Sequence, residues 1–139
     1  MEEYTITVPT SGQAVQALNP IVKGDTWNGV KFTFQDDQAQ PIDLTGVLEV
    51  RVQFRSTPDP TCEAAVALSL TSPDNEIEVS NPAAGELTVN AVTPFNVPVT
   101  GYHYDVEITF ADDTIKTYVM GTAQVTQDWS FTTTPSSSD

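Results

Sequence analysis

"GYHYDVEITF", residues 101–110, decides the fold. Tyr102, Tyr104, Val106, Ile108 and Phe110 fall on one parity, and His103, Asp105, Glu107 and Thr109 on the other. That period of two belongs to a strand with one face in a core and one in water. "ADDT" supplies a turn, and the chain returns as "IKTYVMGTAQVTQD", residues 115–128. This second run has Ile115, Val119 and Val125 on one parity and Tyr118 and Met120 on the other, which suits a central or interface-covered strand. Gly121 in its middle reads as a bulge.

The same alternation spreads outward from this pair. In "PIDLTGVLEVRVQFR", residues 41–55, Leu48, Val50, Val52 and Phe54 alternate with Glu49, Arg51, Gln53 and Arg55. Upstream, Val30, Phe32 and Phe34 share a face that ends at "QDDQAQP", where Asp36 and Asp37 favour a turn and Pro41 stops a ladder. Ala64, Val66, Leu68 and Leu70 read as a lateral strand, with a helical turn as the alternative because of the alanines. Ile77 with Val79 and Leu87 with Val89 flank "SNPAAGE" as a hairpin. The chain therefore predicts one all-β domain, an antiparallel β-sandwich over residues 21–129. Residues 1–20 hold a strand, "YTITV", that adds either to this sheet or to a neighbour's edge, and form an N-terminal arm. Residues 130–139 are expected as a flexible polar tail.

The 139 residues suffice for one core. Five Lys and Arg against nineteen Asp and Glu give a net charge of -14. Phosphate-neutralising donors are thus scarce, so nucleic acid is an unfavourable partner, whereas a basic partner or a cation suits the charge. Cys62 is the single cysteine, with Glu63 beside it. It allows no intrachain disulfide, zinc cluster or redox pair, and reads as a spectator. "MEEYTITVPT" lacks the apolar region of a signal peptide, and no apolar run reaches the ~18 residues of a membrane span. Synthesis in the cytoplasm without a signal peptide, and no membrane partner, are the expectations.

No catalytic apparatus emerges. His103 and Asp105 are neighbours on the polar face of one strand without a nucleophile elbow, and read as exposed strand surface. Asp36 with Asp37 and Asp112 with Asp113 offer oxygen ligands for calcium, but both pairs stand where turns are needed, and no EF-hand-type loop is present. No metal or cofactor is expected. Trp27 and Trp129 lie just outside the first and last strands, as plugs for an end of the sandwich, anchors for a protein partner, or platforms for a sugar. Tyr118 joins them in the sugar reading. Arg51 and Arg55 share one polar face, with Lys31 on a neighbouring strand, and form either a docking patch for the acidic surface of a sister subunit or isolated surface ion pairs with Glu49 or Glu107.

"IVKGDTWNGVKFTF", "QPIDLTGVLEVRVQFR" and "GYHYDVEITFADDTIKTYVMGTAQVTQD", in that order, resemble the small immunoglobulin-like N-terminal module of bacteriophage baseplate upper proteins and similar modules of phage head and tail proteins. The resemblance spans about residues 20 to 128 and rests on Gly24, Asp25 and Thr26, on Asp43, Leu44, Thr45 and Gly46, on Tyr102, Tyr104 and Asp105, and on Val125, Thr126 and Asp128. It implies a non-enzymatic virion structural protein, with the immunoglobulin-like sandwich as an adaptor or decoration bound to capsid, connector or tail proteins. Those residues are fold-defining positions and not known ligand contacts. The chain lacks the coiled coil or receptor-binding extension of the long members, so a fibre shaft is not expected. A homo-oligomer fits the exposed edges. Under this reading the arm orders only against neighbouring subunits, and Tyr4, Ile6, Arg51, Arg55, Trp27 and Trp129 are the candidate contacts. A glycan-binding module on the same fold is the rival.

Overall fold

A computed structural model describes residues 1–57 and 65–127. Ala64, Cys62, Asp128, Trp129 and the tail 130–139 therefore lie outside the described residues. Among the described residues ten strands succeed one another: β1 (Glu2–Thr7), β2 (Ala14–Val15), β3 (Ile21–Val22), β4 (Val30–Gln35), β5 (Glu49–Arg55), β6 (Val66–Thr71), β7 (Ile77–Asn81), β8 (Glu86–Val89), β9 (Gly101–Thr109) and β10 (Ile115–Thr126). They make a four-stranded sheet, β1-β4-β8-β7, and a six-stranded sheet, β2-β10-β9-β5-β6, with β3 also on β10.

The inward parity of each central strand explains its burial. Val30, Phe32 and Phe34 of β4, Val50, Val52 and Phe54 of β5, and Val106 and Ile108 of β9 are all buried, in one cluster shared by both sheets. The layers meet through Phe34 and Tyr118, with ring centroids 5.4 Å apart, and through Trp27 and Phe54 at 5.9 Å. Each such ring removed from water contributes about 1.5–3 kcal/mol.

Purely antiparallel sheets, as expected from the alternation, are not what forms. β1 runs parallel to β4, and β2 and β3 run parallel to β10. A parallel pair needs a crossover, and here the chain leaves β1 on one sheet, travels along β10 on the other as β2 and β3, and returns as β4. Within the first twenty residues, Glu2–Thr7 and Ala14–Val15 consequently belong to the sheets of this chain, not to a neighbour's edge. Ile6, Val8 and Leu18 are buried in the common core, and burial without a partner chain is what orders them.

Three local expectations also change. Leu48 precedes β5 and is 54% exposed despite its inward parity. The bulge in β10 lies between Thr117 and Val119, which turns both Tyr118 and Val119 inward and accounts for apolar residues on both parities. Gly121 instead marks a close approach, since a Cβ there would meet the Gln16 carbonyl oxygen at 2.0 Å. The Ile77–Asn81 and Glu86–Val89 hairpin forms as read, closed by a 3-10 turn at Pro82–Ala84 and by Gly85 in the left-handed region.

Candidate functional site

Two neighbouring strands of the six-stranded sheet raise the polar side chains singled out above. β5 places Arg51 opposite Glu107 of β9, Gln53 opposite Asp105, and Arg55 opposite His103. Their outward parity, fixed by the buried parity of Val50, Val52, Val106 and Ile108, puts all six on one exposed face. Beside them β10 contributes Met120 and Gly121, and β2 rises as a rim with Val15. The result is a groove of about 600 Å³.

Its electrostatics are mixed. An Arg51 Nη2–H donates to Glu107 Oε1 at 2.8 Å, and an Arg55 Nη2–H to Gln53 Oε1 at 3.0 Å. Burial, and next the Glu107 charge, push the Asp105 carboxyl above the usual carboxylate range, while Arg51 and Arg55 pull it back. Val15 is 83% exposed and Met120 44%, and the two are paired in register. An apolar pair beside both arginines of the chain is the composition of a contact surface. Among the described residues, no group of three or more His, Cys, Asp or Glu is gathered to hold a metal ion. No helix among them is long and apolar enough to cross a membrane.

The other candidates are dispersed. Trp27 is 6% exposed and packs edge-on against Phe95 at 5.4 Å and Phe54, which leaves no ring face for a sugar. Tyr118, 8% exposed, packs against Phe34 and Phe110 and is equally unavailable. Ile6 is core. Tyr4 is half-buried, stacked on Phe32, with its hydroxyl donating to the Glu2 carboxylate; burial and that bond push it up to about 12. The acidic pairs sit in turns. Asp36 Oδ1 accepts the Gln38 and Gln40 N–H groups at 2.9 Å each, and Asp112 Oδ1 accepts the Thr114 N–H at 3.0 Å.

The motif residues take scaffold positions. Asp43 Oδ1 accepts the Thr45 N–H at 2.9 Å, Leu44 is buried, and Gly46 holds φ +80, so "DLTG" is a tight corner leading toward β5. Asp25 and Gly24 pair with Phe95 through both backbone directions at 2.9 Å. Tyr102 donates to the Pro98 carbonyl at 2.6 Å, and Tyr104 to that of Gln16. Val15 and Met120 are the groove residues the sequence reading did not bring together with the arginines, and of Glu49 and Glu107 it is Glu107 that pairs with Arg51. Parity placed each on its strand, but strand neighbours are not encoded in parity. No protein-family model matches this chain, and no curated protein matches it.

Proposed function

We propose that this chain is a non-enzymatic immunoglobulin-like structural module of a bacteriophage particle, docked on capsid, connector or tail proteins and acting by assembly contacts. The motif order described above supports the phage reading. The strand order supports the immunoglobulin-like one: β4-β8-β7 and β10-β9-β5-β6 follow the B-E-D and G-F-C-C′ arrangement of variable-type domains. Tyr102 at the start of β9, bonded to a carbonyl four residues upstream, corresponds to a tyrosine corner. The parallel β1 on the four-stranded sheet is an addition to that plan.

One observation carries the function. β5, which follows the "DLTG" corner, and β9, which holds "GYHYD", are adjacent, and their outward faces gather both arginines of a chain of charge -14 into the groove. Scarce positive charge concentrated on one exposed face is suited to contact with a partner. The test is a double charge reversal, Arg51→Glu with Arg55→Glu, in particles that carry the protein. Circular dichroism should show an intact fold while the chain no longer sediments with the particles; undiminished incorporation overturns the contact reading of this face.

A further inference from the structure

The reading of the groove as a contact face leaves its occupant open, and resting on that reading we propose that the occupant is a second copy of this chain, laid face to face about a two-fold axis. The strand register carries the inference. Arg51 and Glu107 share one level across β5 and β9, and Gln53 and Asp105 share the next. That second level continues to Ser69 on β6 and to Met120 on β10. A two-fold axis running along the strands, between β5 and β9, exchanges the two sides of the sheet and keeps every level. It lays Arg51 of each copy over Glu107 of the other, so the attractive contact occurs twice, as in any isologous interface. On the next level the Gln53 amide lies over the partly desolvated Asp105 carboxylate, and exposed Met120 lies over the small side chain of exposed Ser69. Sheets packed face to face stand ~10 Å apart, a gap that an arginine reaching toward a glutamate can span.

Charge favours this face over the acidic grooves beside Trp27 and beside Asp36 and Asp37. Two copies of a chain carrying -14 repel wherever acidic surfaces meet. Here Arg51 and Arg55 stand on β5 against Asp105 and Glu107 on β9, with Glu49 at the end of the β5 row opposite uncharged Thr109. By contrast, the groove beside Trp27 has Glu2 and Asp25 in its wall, and the one beside Tyr118 has Asp36 and Asp37 against Lys116. Val15, exposed next to Met120, adds apolar surface at the margin of the same face.

Sedimentation equilibrium of the purified chain at micromolar concentrations tests the proposal. The parent should show twice the monomer mass. Arg51→Glu and Glu107→Arg should each weaken association at least ~100-fold, because two attractive contacts become two repulsive ones. An equimolar mixture of the two variants should recover the dimer, since the new carboxylate of one faces the new guanidinium of the other. The double variant R51E/E107R should dimerise alone. Thermal melts establish that each variant is folded, and the mixture separates loss of contact from damage to the internal Arg51–Glu107 pair. A monomeric parent, or a mixture of folded variants that stays monomeric, overturns the proposal. If the parent is monomeric and the double arginine reversal still abolishes attachment to particles, the second-copy proposal fails and the contact reading stands; unchanged attachment sinks both.

Discussion

Replacing Gly121 with Ala should be among the most damaging single-methyl changes in this protein. β2 and its continuation cross β10 at that residue: the Gln16 N–H donates to the Met120 carbonyl at 3.2 Å and the Leu18 N–H to that of Thr122 at 2.9 Å. The Tyr104 hydroxyl donates to the Gln16 carbonyl at 2.5 Å. A Cβ on residue 121 would stand 2.0 Å from that same carbonyl oxygen and 2.8 Å from Tyr104 Cε1. Backbone cannot yield as a flexible side-chain end does, so the segment must part from β10. Overpacking of this kind costs about 1–3 kcal/mol, and weakening three hydrogen bonds adds about 0.5–1.5 kcal/mol each. A total near 4 kcal/mol, against an unfolding entropy of ~2.1 cal/mol/K per residue, lowers Tm by about 14 °C for a chain of this length.

Gly24→Ala is the matched control. Gly24 has φ +91 but nothing within 4 Å of an added Cβ, so only the left-handed backbone is penalised, by about 1–2 kcal/mol, or about 3–7 °C. Thermal unfolding followed by far-ultraviolet circular dichroism reads both, and amide exchange localises the first, with Leu18 and Gln16 losing protection before β9. If G121A melts no lower than G24A, or leaves those amides protected, the N-terminal segment does not lie on β10 and the placement of residues 14–18 is wrong.

Asp105→Asn addresses the groove through pH. The folded carboxyl is raised, chiefly by burial and then by Glu107, so the folded chain holds its proton more tightly than the unfolded one. The resulting stability is present below the unfolded pKa, about 3.9, and is lost as pH rises from there through the folded value. The Asn variant should flatten that part of the urea-midpoint profile and gain on the parent at neutral pH; an unchanged profile refutes the desolvated position of Asp105. Tyr102→Phe removes the bond to Pro98 and should cost about 1 kcal/mol, with Tm about 3 °C lower and particle attachment unaffected. A loss of attachment in a folded Y102F protein would show that the corner does more than brace β9.

The central strands were legible because their alternation is long and clean. β4, β5 and β9 bury the expected parity almost without exception, and the hairpin around Pro82–Ala84 is announced by its turn residues. The N-terminal segment was legible as a strand, but whether it adds to this sheet or to a neighbour's edge was left open. Periodicity says that Ile6 wants a core and is silent about which strand it lies beside; the parallel partnership with β4 depends on a crossover whose strands, β2 and β3, are only two residues each. Phe95 shows a second kind of blindness. It is fully buried against Trp27 and Phe54, yet it sits between Pro94 and Pro98 in a stretch without regular period. Its burial follows from backbone pairing with the "GD" stretch about seventy residues earlier, a contact no local pattern records.

The groove lies on the same boundary between what parity encodes and what only register encodes. Arg51, Gln53 and Arg55 were readable as one outward row, and His103, Asp105 and Glu107 as another, from single strands alone. Whether those rows are adjacent, and whether Arg51 meets Glu107 or slides two residues along to Asp105, is set by the fit of the buried parity: Val52 opposite Val106, and Phe54 opposite Tyr104. A slip of two residues would preserve the inward and outward faces and yet move the aromatic side chains out of level with one another. The core therefore fixes the charge pattern on the opposite face of the sheet. That is why the proposed contact face belongs to the fold as a whole, and why reversing one charge in each row is a sharper probe of it than truncating any single side chain.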